Sequence, residues 1–370
     1  MPGFHSIGTG SGMGFRARTG AIAAAVLLAL VAAFALTTPA TAQTITEFPL
    51  PTAGSSPVGI AAGPDGALWF TQRDGDSIGR ITTAGVITEF ALPTAGSSPI
   101  GIAAGPDGAL WFTEDSGNRI GRITTAGVIT EFTVPGIGRR PFDIAAGPDG
   151  ALWFTQFNGN RIGRITTTGV ITQFTLPTGG SSPLGIAAGP DGALWFTQRS
   201  GNRIGRITTA GVITEFSVPT FNSAPYGIAA GPDGALWFTQ QNGDSIGRIT
   251  TAGMITEFPL PTFGNSPVGI AAGPDGALWF TEYSGNLIGR ITTAGVITEF
   301  AVPAVGGRPF GISAGPDGAL WFAQQDGNRI GRITTPGPTP VPTLSEWAMI
   351  LFGLLLAGGA AAAVQRRMAG

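Results

Sequence analysis

The sequence predicts an all-β protein, a seven-bladed β-propeller of 42-residue, four-stranded repeats, on three observations. Trp69, Trp111, Trp153, Trp195, Trp237, Trp279 and Trp321 stand 42 residues apart without an insertion. Each lies in an identical Gly-Pro-Asp-Gly-Ala-Leu-Trp-Phe, and each copy continues to an identical Ile-Gly-Arg-Ile-Thr-Thr. Within each copy four short apolar runs are separated by turn residues. A fixed period of this length marks a repeat architecture, and four strands per repeat is the content of a propeller blade.

In the first full copy, strand one is expected over 58–62 and strand two over 67–72, joined by the Pro64-Asp65-Gly66 turn. A turn at Gly75-Asp76 leads to strand three, 78–83, and Ala84-Gly85 turns the chain into strand four, 86–92. Short reversals at Asp-Gly and Ala-Gly imply an antiparallel meander. Strand two is apolar on both faces, as a strand sandwiched between neighbouring blades must be. A two-residue loop at Ala84-Gly85 would set Arg80 opposite Glu89, and the same offset would give one Arg-Glu pair in most blades.

The seventh copy stops at Thr335 without a fourth strand, while Ile45-Thr46-Glu47-Phe48-Pro49-Leu50 is an orphan fourth strand near the other end. From Gln43 to Pro336 is 294 residues, seven times 42. The N-terminal strand is therefore expected to complete the last blade, with Glu47 as the partner of Arg332, removing two open sheet edges.

Composition narrows the function classes. Gly contributes 60 and Pro 29 of the 370 residues, yet 43% are hydrophobic and only 11% charged, which excludes charged, solvated disorder. The 20 basic residues are all Arg, against 22 acidic ones, for a net charge of -2. No nucleic-acid partner is expected. Cys is absent, which removes disulfides and thiolate chemistry, and the one His is His5.

The ends read as sorting segments. Residues 1–42 carry Arg16 and Arg18, an apolar run over 21–36 and an Ala40-Thr41-Ala42 cleavage box, the pattern of an export signal. The propeller occupies 43–336 and a Pro-rich linker 337–343. The tail, 344–370, contains an apolar run over 348–364 just long enough to span a bilayer, then Arg366-Arg367. With Val341-Pro342-Thr343-Leu344-Ser345-Glu346-Trp347 before it, this tail resembles the IPTL-CTERM sorting signal of Gram-negative bacteria. The resemblance implies a sorting protease as partner; the alternative is a permanent anchor. The chain is expected in the periplasm, on the cell surface or secreted, touching membrane through this segment alone, and as a monomer.

Repeats differ from one another in two places, the link from strand four to the next strand one and the residues after strand two. In a meander both lie on one face, the candidate binding surface. Strand one begins Pro-x-Gly, where x is Val58, Ile100, Phe142, Leu184, Tyr226, Val268 or Phe310, an apolar ring. Strand two ends in Gln72, Glu114, Gln156, Gln198, Gln240, Glu282 and Gln324, two carboxylates among amides. The links after blades 2 and 6 carry Arg139, Arg140 and Arg308, Tyr283 follows strand two of blade 6, and blade 3 alone replaces the Gly of Pro-x-Gly with Asp143. Glu114 and Asp143 are candidates for a shared hard-cation or proton-handling site; the other reading is drift at exposed rim positions.

The repeat itself, Gly-Pro-Asp-Gly-x-Leu-Trp-Phe-Thr-Glu, Gly-Asn-x-Ile-Gly-Arg-Ile and Ile-Thr-Glu-Phe-x-x-Pro, resembles the virginiamycin B lyase (streptogramin B lyase) family over 43–336. The resemblance implies a seven-bladed propeller and Mg-dependent elimination that opens a cyclic depsipeptide, with a His as base. That family's histidines occur in Pro-His-Gly and near the end of strand two. Here no Pro-x-Gly carries His, and His5 lies in the export signal. The leading expectation is a non-catalytic rim that binds protein, peptide or glycan. The other is a metal-assisted lyase, or a lactonase-like enzyme, using Glu114, Asp143 and Glu282 with Mg or Ca by resemblance.

Overall fold

A computed structural model describes residues 43–335. Twenty-eight strands form seven four-stranded antiparallel sheets, and no helix occurs among the described residues. The expected export signal, linker and tail lie outside them. In blade 1 the strands are Pro57–Ala62, Leu68–Gln72, Ser77–Ile81 and Ile87–Ala91, paired in sequence order. Blade 7 takes three strands from Pro309–Ala314, Ala319–Gln324 and Arg329–Thr334, and Ile45–Pro49 adds the fourth. The N-terminal strand thus closes the ring, in a register from Ile45 opposite Ile333 to Pro49 opposite Arg329.

The invariant Leu-Trp-Phe shows why the blades stack. Successive residues of a strand face opposite ways, so Leu68 and Phe70 pack towards blade 7 with Trp321, while Trp69 packs towards blade 2 with Leu110 and Phe112. All of these side chains have 0% exposure. One strand therefore supplies half of two interfaces, and fully burying each large side chain is worth roughly 1.5–3 kcal/mol. Trp69 also stacks on Phe90 of strand four at 5.5 Å between centroids. Threonines stitch adjacent blades: Thr71 Oγ1 accepts from Gly59 N at 2.9 Å and donates to Ile100 O of the next blade at 2.6 Å.

The hairpin between strands three and four is one residue longer than expected. Thr82 N donates to Val86 O and Gly85 N to Thr82 O, so the loop is Thr83-Ala84-Gly85, with Gly85 at φ +88°. The extra residue slips the register: Arg80 faces Thr88, and Glu89 faces Gly79. The expected Arg-Glu pairs do not form. Instead Arg80 Nε donates to Asp65 Oδ2 at 2.6 Å, while Trp69 Nε1 donates to Asp65 Oδ1 at 3.0 Å. The Asp of each Pro-Asp-Gly turn is thus also the anchor of an Asp-Trp-Arg triad, with the guanidinium 5.9 Å over the indole in blade 1. Burial raises the Asp65 carboxyl, but the Trp69 and Arg80 hydrogen bonds outweigh it and hold it below the ordinary range. Glu47 follows the same correction: Arg332 binds Asp317 at 2.7 Å, and Glu47 binds Arg329 at 3.3 Å.

Candidate ligand-binding face

Strand-one segments of adjacent blades contact one another around the axis. Each begins with a β-bulge, where Pro57 pairs with Gln72 and Ile60 with Phe70, leaving two residues opposite Thr71. The bulge brings neighbouring backbones together: a Cβ on Gly59 would lie 2.2 Å from Ile100 O, so Pro-x-Gly needs its glycine for close approach. The residue before the proline is left-handed in every copy, including Arg140 at φ 50° and Arg308 at φ 49°.

On this shared backbone the expected apolar ring divides by side chain. Val58, Ile100 and Val268 are buried in the channel wall and present little surface to a ligand, and Leu184 is buried as well. Phe142, Tyr226 and Phe310, from alternate blades, are half-buried and meet across the axis. Phe142 and Tyr226 are edge-on at 5.9 Å, Tyr226 and Phe310 at 5.7 Å, and Phe310 and Tyr283 at 6.0 Å. Beneath these rings the channel holds a cavity of about 140 Å³, with Asp143 in its wall.

The residues that end strand two are fully buried, not exposed rim positions, and point outward to strand four. Gln72 Nε2 donates to Glu89 Oε1 at 2.6 Å, and blades 4, 5 and 7 repeat the bond through Gln198, Gln240 and Gln324. Blades 2 and 6 place a carboxylate there instead. Burial and the neighbouring Glu131 push Glu114 up to about 7, against the pull of Arg119 at 3.9 Å. Burial and Glu299 push Glu282 up to about 8, although Asn265 Nδ2 donates to it.

Asp143 has different partners. Its Oδ1 accepts from Ile144 N at 2.9 Å and its Oδ2 from Ile186 N of blade 4 at 3.0 Å. Burial raises its carboxyl to about 6 against those two bonds. Glu114 and Asp143 thus belong to separate networks. Among the described residues no group of three His, Cys, Asp or Glu side chains is placed to hold a metal ion, and the oxygens of Asp143 are already taken by backbone N–H groups. The donors present do not fit a Mg or Ca ion.

The position after strand two completes the face: Arg73, Asp115, Phe157, Arg199, Gln241, Tyr283 and Gln325. Sequence reasoning singled out only Tyr283, although all seven sit at an offset where the copies diverge. Arg140 makes a bidentate pair with Asp115, its shortest contact 2.7 Å, and lies 5.5 Å over Phe157. Arg308 repeats the motif more openly, 2.9 Å from Asp326 and 5.3 Å over Tyr283. Arg139 N donates to Asn118 Oδ1 at 3.0 Å, and its Nε is buried without a hydrogen-bond partner. Between blades 3, 4 and 5 a second cavity, of about 300 Å³, is lined by Arg140, Phe142, Phe157, Leu184, Arg199, Tyr226 and Gln241.

Comparison with known proteins places this architecture. The family model described as the virginiamycin B lyase family matches residues 25–192 and 138–357. A streptogramin B lyase structure is 41% identical, covering 79% of this chain and 97% of that one, with a TM-score of 0.76. Virginiamycin B lyase from Staphylococcus aureus is 44% identical over 79% of this chain and 99% of that one, again with a TM-score of 0.76. The same identity, coverage and TM-score hold for a catalytically inactive histidine-to-alanine variant of the Staphylococcus aureus enzyme, solved with quinupristin. No curated protein sequence matches the chain.

Proposed function

We propose that this chain, which belongs to the virginiamycin B lyase family, is an exported, envelope-displayed binding module whose diverged face holds a peptide, protein or glycan and performs no elimination. The observation that carries this reading is the absence of histidine from residues 43–335. Exchange of one histidine for alanine gives a catalytically inactive form of the Staphylococcus aureus relative. Imidazole is the side chain best matched to proton abstraction near neutral pH. Where the family resemblance calls for such a base, this face offers Phe142, Tyr226 and Phe310, and burial pushes the Tyr226 phenol further up, away from service as a base. Glu114 and Glu282 are raised towards neutrality but fully buried.

Half-buried aromatic rings flanked by arginines suit flat contact with sugars or with peptide side chains. Display on the envelope is supported by the export pattern of residues 1–42 and the sorting pattern of 344–370.

Two measurements test the proposal. The full chain is incubated with quinupristin and Mg, and the product is followed by chromatography and fragmentation mass spectrometry, because elimination opens the ring without changing its mass. The expected result is intact antibiotic; ring opening lost in Glu114→Gln or Glu282→Gln would establish the lyase reading instead. A glycan and peptide array probed with the labelled chain should give ligands lost in Phe142→Ala and Phe310→Ala. Retention of every signal by both variants would remove the face from the binding role.

A further inference from the structure

We infer that the cavity between blades 3, 4 and 5 is a subsite for a small aromatic carboxylic acid, its anion held by Arg199 and its ring by Phe142, Phe157 and Tyr226. The inference deepens the binding reading and rests on it for the choice of face. Its own warrant is an imbalance of charge and hydrogen bonding within the cavity.

Of the two arginines that line the cavity, Arg140 is already engaged by both oxygens of Asp115. Arg199 is not. Its Nη2 reaches only Gln241 Oε1, at 3.2 Å, and its Nε is buried without a hydrogen-bond partner. Among the described residues no carboxylate lies within ion-pair distance of it. Arg73, three blades away, has the same unpartnered Nε, and both guanidinium charges act on the Tyr226 hydroxyl. The nearby acids are occupied: Asp115 by Arg140, and Asp143 by the N–H groups of Ile144 and Ile186. A guanidinium fork with free N–H groups at a partly desolvated site matches a carboxylate, which accepts two parallel bonds.

The walls specify the rest of the ligand. Phe142 lies 6.4 Å from Phe157 and 5.9 Å from Tyr226, so the cavity is bordered by three rings. A volume of about 300 Å³ admits one ring and a short acid arm. Gln241, opposite Arg199, can turn its amide to donate once its oxygen is released from Nη2.

The test is calorimetric titration of the full chain with 3-phenylpropionate and with its neutral counterpart 3-phenylpropan-1-ol. The acid is expected to bind at least about tenfold more tightly than the alcohol, and Arg199→Gln to abolish that preference. Phe157→Ala should weaken acid and alcohol alike. Arg80→Gln, on the opposite face, should leave both unchanged, and melting curves of the variants establish that each is folded. Equal binding of acid and alcohol, full acid binding by folded Arg199→Gln, or no binding of the acid up to about 10 mM would overturn the subsite. If array ligands dependent on Phe310 persist when the acid fails, the anion subsite falls and the binding face stands. Acid binding dependent on Arg199, with no array ligand dependent on Phe310, leaves this cavity as the site and removes the wider rim.

Discussion

Gln72 and Glu89 form a hydrogen bond, Nε2 to Oε1 at 2.6 Å, that links strand two to strand four inside blade 1. The 17-residue offset recurs round the ring, and what fills it varies: amide with carboxylate in blades 1, 4 and 5, two carboxylates in blades 2 and 6, and two amides, Gln156 and Gln173, in blade 3. Glu47 supplies the carboxylate for Gln324 in blade 7. The substitutions at Glu114 and Glu282 therefore act on the interior of the blade before they act on any ligand.

Glu282→Gln is expected to stabilise the protein at alkaline pH. The Glu282 carboxyl is raised to about 8, so the folded state holds its proton more tightly than the unfolded chain does. That contribution is complete below the unfolded value near 4.5 and is lost as pH rises through about 8. At about 1.4 kcal/mol per pH unit of displacement, the substitution should recover roughly 2–4 kcal/mol at pH 9 and little at pH 5. Melting curves across this range check it. Equal effects at both ends would contradict the Glu282–Glu299 conflict.

Ala323→Thr should strengthen the seam where the ring closes. Six blades carry a threonine that bonds the next blade's strand one, from Thr71 to Ile100 O through Thr281 to Phe310 O. Blade 7 has Ala323, fully buried, facing blade 1. A hydroxyl there can donate to Val58 O, and one such bond is worth about 1 kcal/mol. The melting temperature should rise by about 2 °C; a fall would mean that the seam lacks room for the extra atoms.

Asp191→Ala should be costly where Glu215→Ala is not, as far as Arg206 is concerned. Asp191 accepts from Trp195 Nε1 at 3.0 Å and from Arg206 Nε at 2.6 Å. Removing it leaves a fully buried indole N–H unpaired, at about 1–3 kcal/mol. Double-mutant cycles should show coupling of up to about 1 kcal/mol between Arg206 and Asp191 and none between Arg206 and Glu215. The sign with pH is the opposite of that at Glu282. Despite burial, the Trp195 and Arg206 bonds hold Asp191 low, so its contribution is present above the unfolded value and fades as pH falls through the lowered one.

Deletion of residues 43–50 should lower the melting temperature by several degrees. It would strip the fourth strand from blade 7, uncovering Arg329–Thr334 as an open edge and removing Phe48 from its stack on Trp321 at 5.5 Å. An unchanged melt would show that closure does not depend on this strand.

The fold was legible because each copy repeats its evidence seven times: the turns, the doubly buried Leu-Trp-Phe and the orphan N-terminal strand allow one closed solution. Hairpin register was less legible, since Ala-Gly permits a two-residue or a three-residue loop, and one residue of slip moved every Arg80-type side chain from Glu89 to Asp65. The diverged face could be located from where the copies differ, yet its accessible residues could not be separated from its buried ones. The same bulge sets all seven x positions around the axis, where the short aliphatic side chains of Val58 and Val268 stay in the wall while the longer rings of Phe142, Tyr226 and Phe310 meet across the axis. Sequence alone determined the blade count, the closure and the absence of histidine from residues 43–335, which can be read directly along the chain. Only the tertiary structure decided that Glu114 and Asp143 join different networks and that Arg199 keeps free N–H groups, because burial and pairing are set by residues distant along the chain: Glu131 of the same blade for Glu114, and Ile186 and Gln241 of the next blade for Asp143 and Arg199.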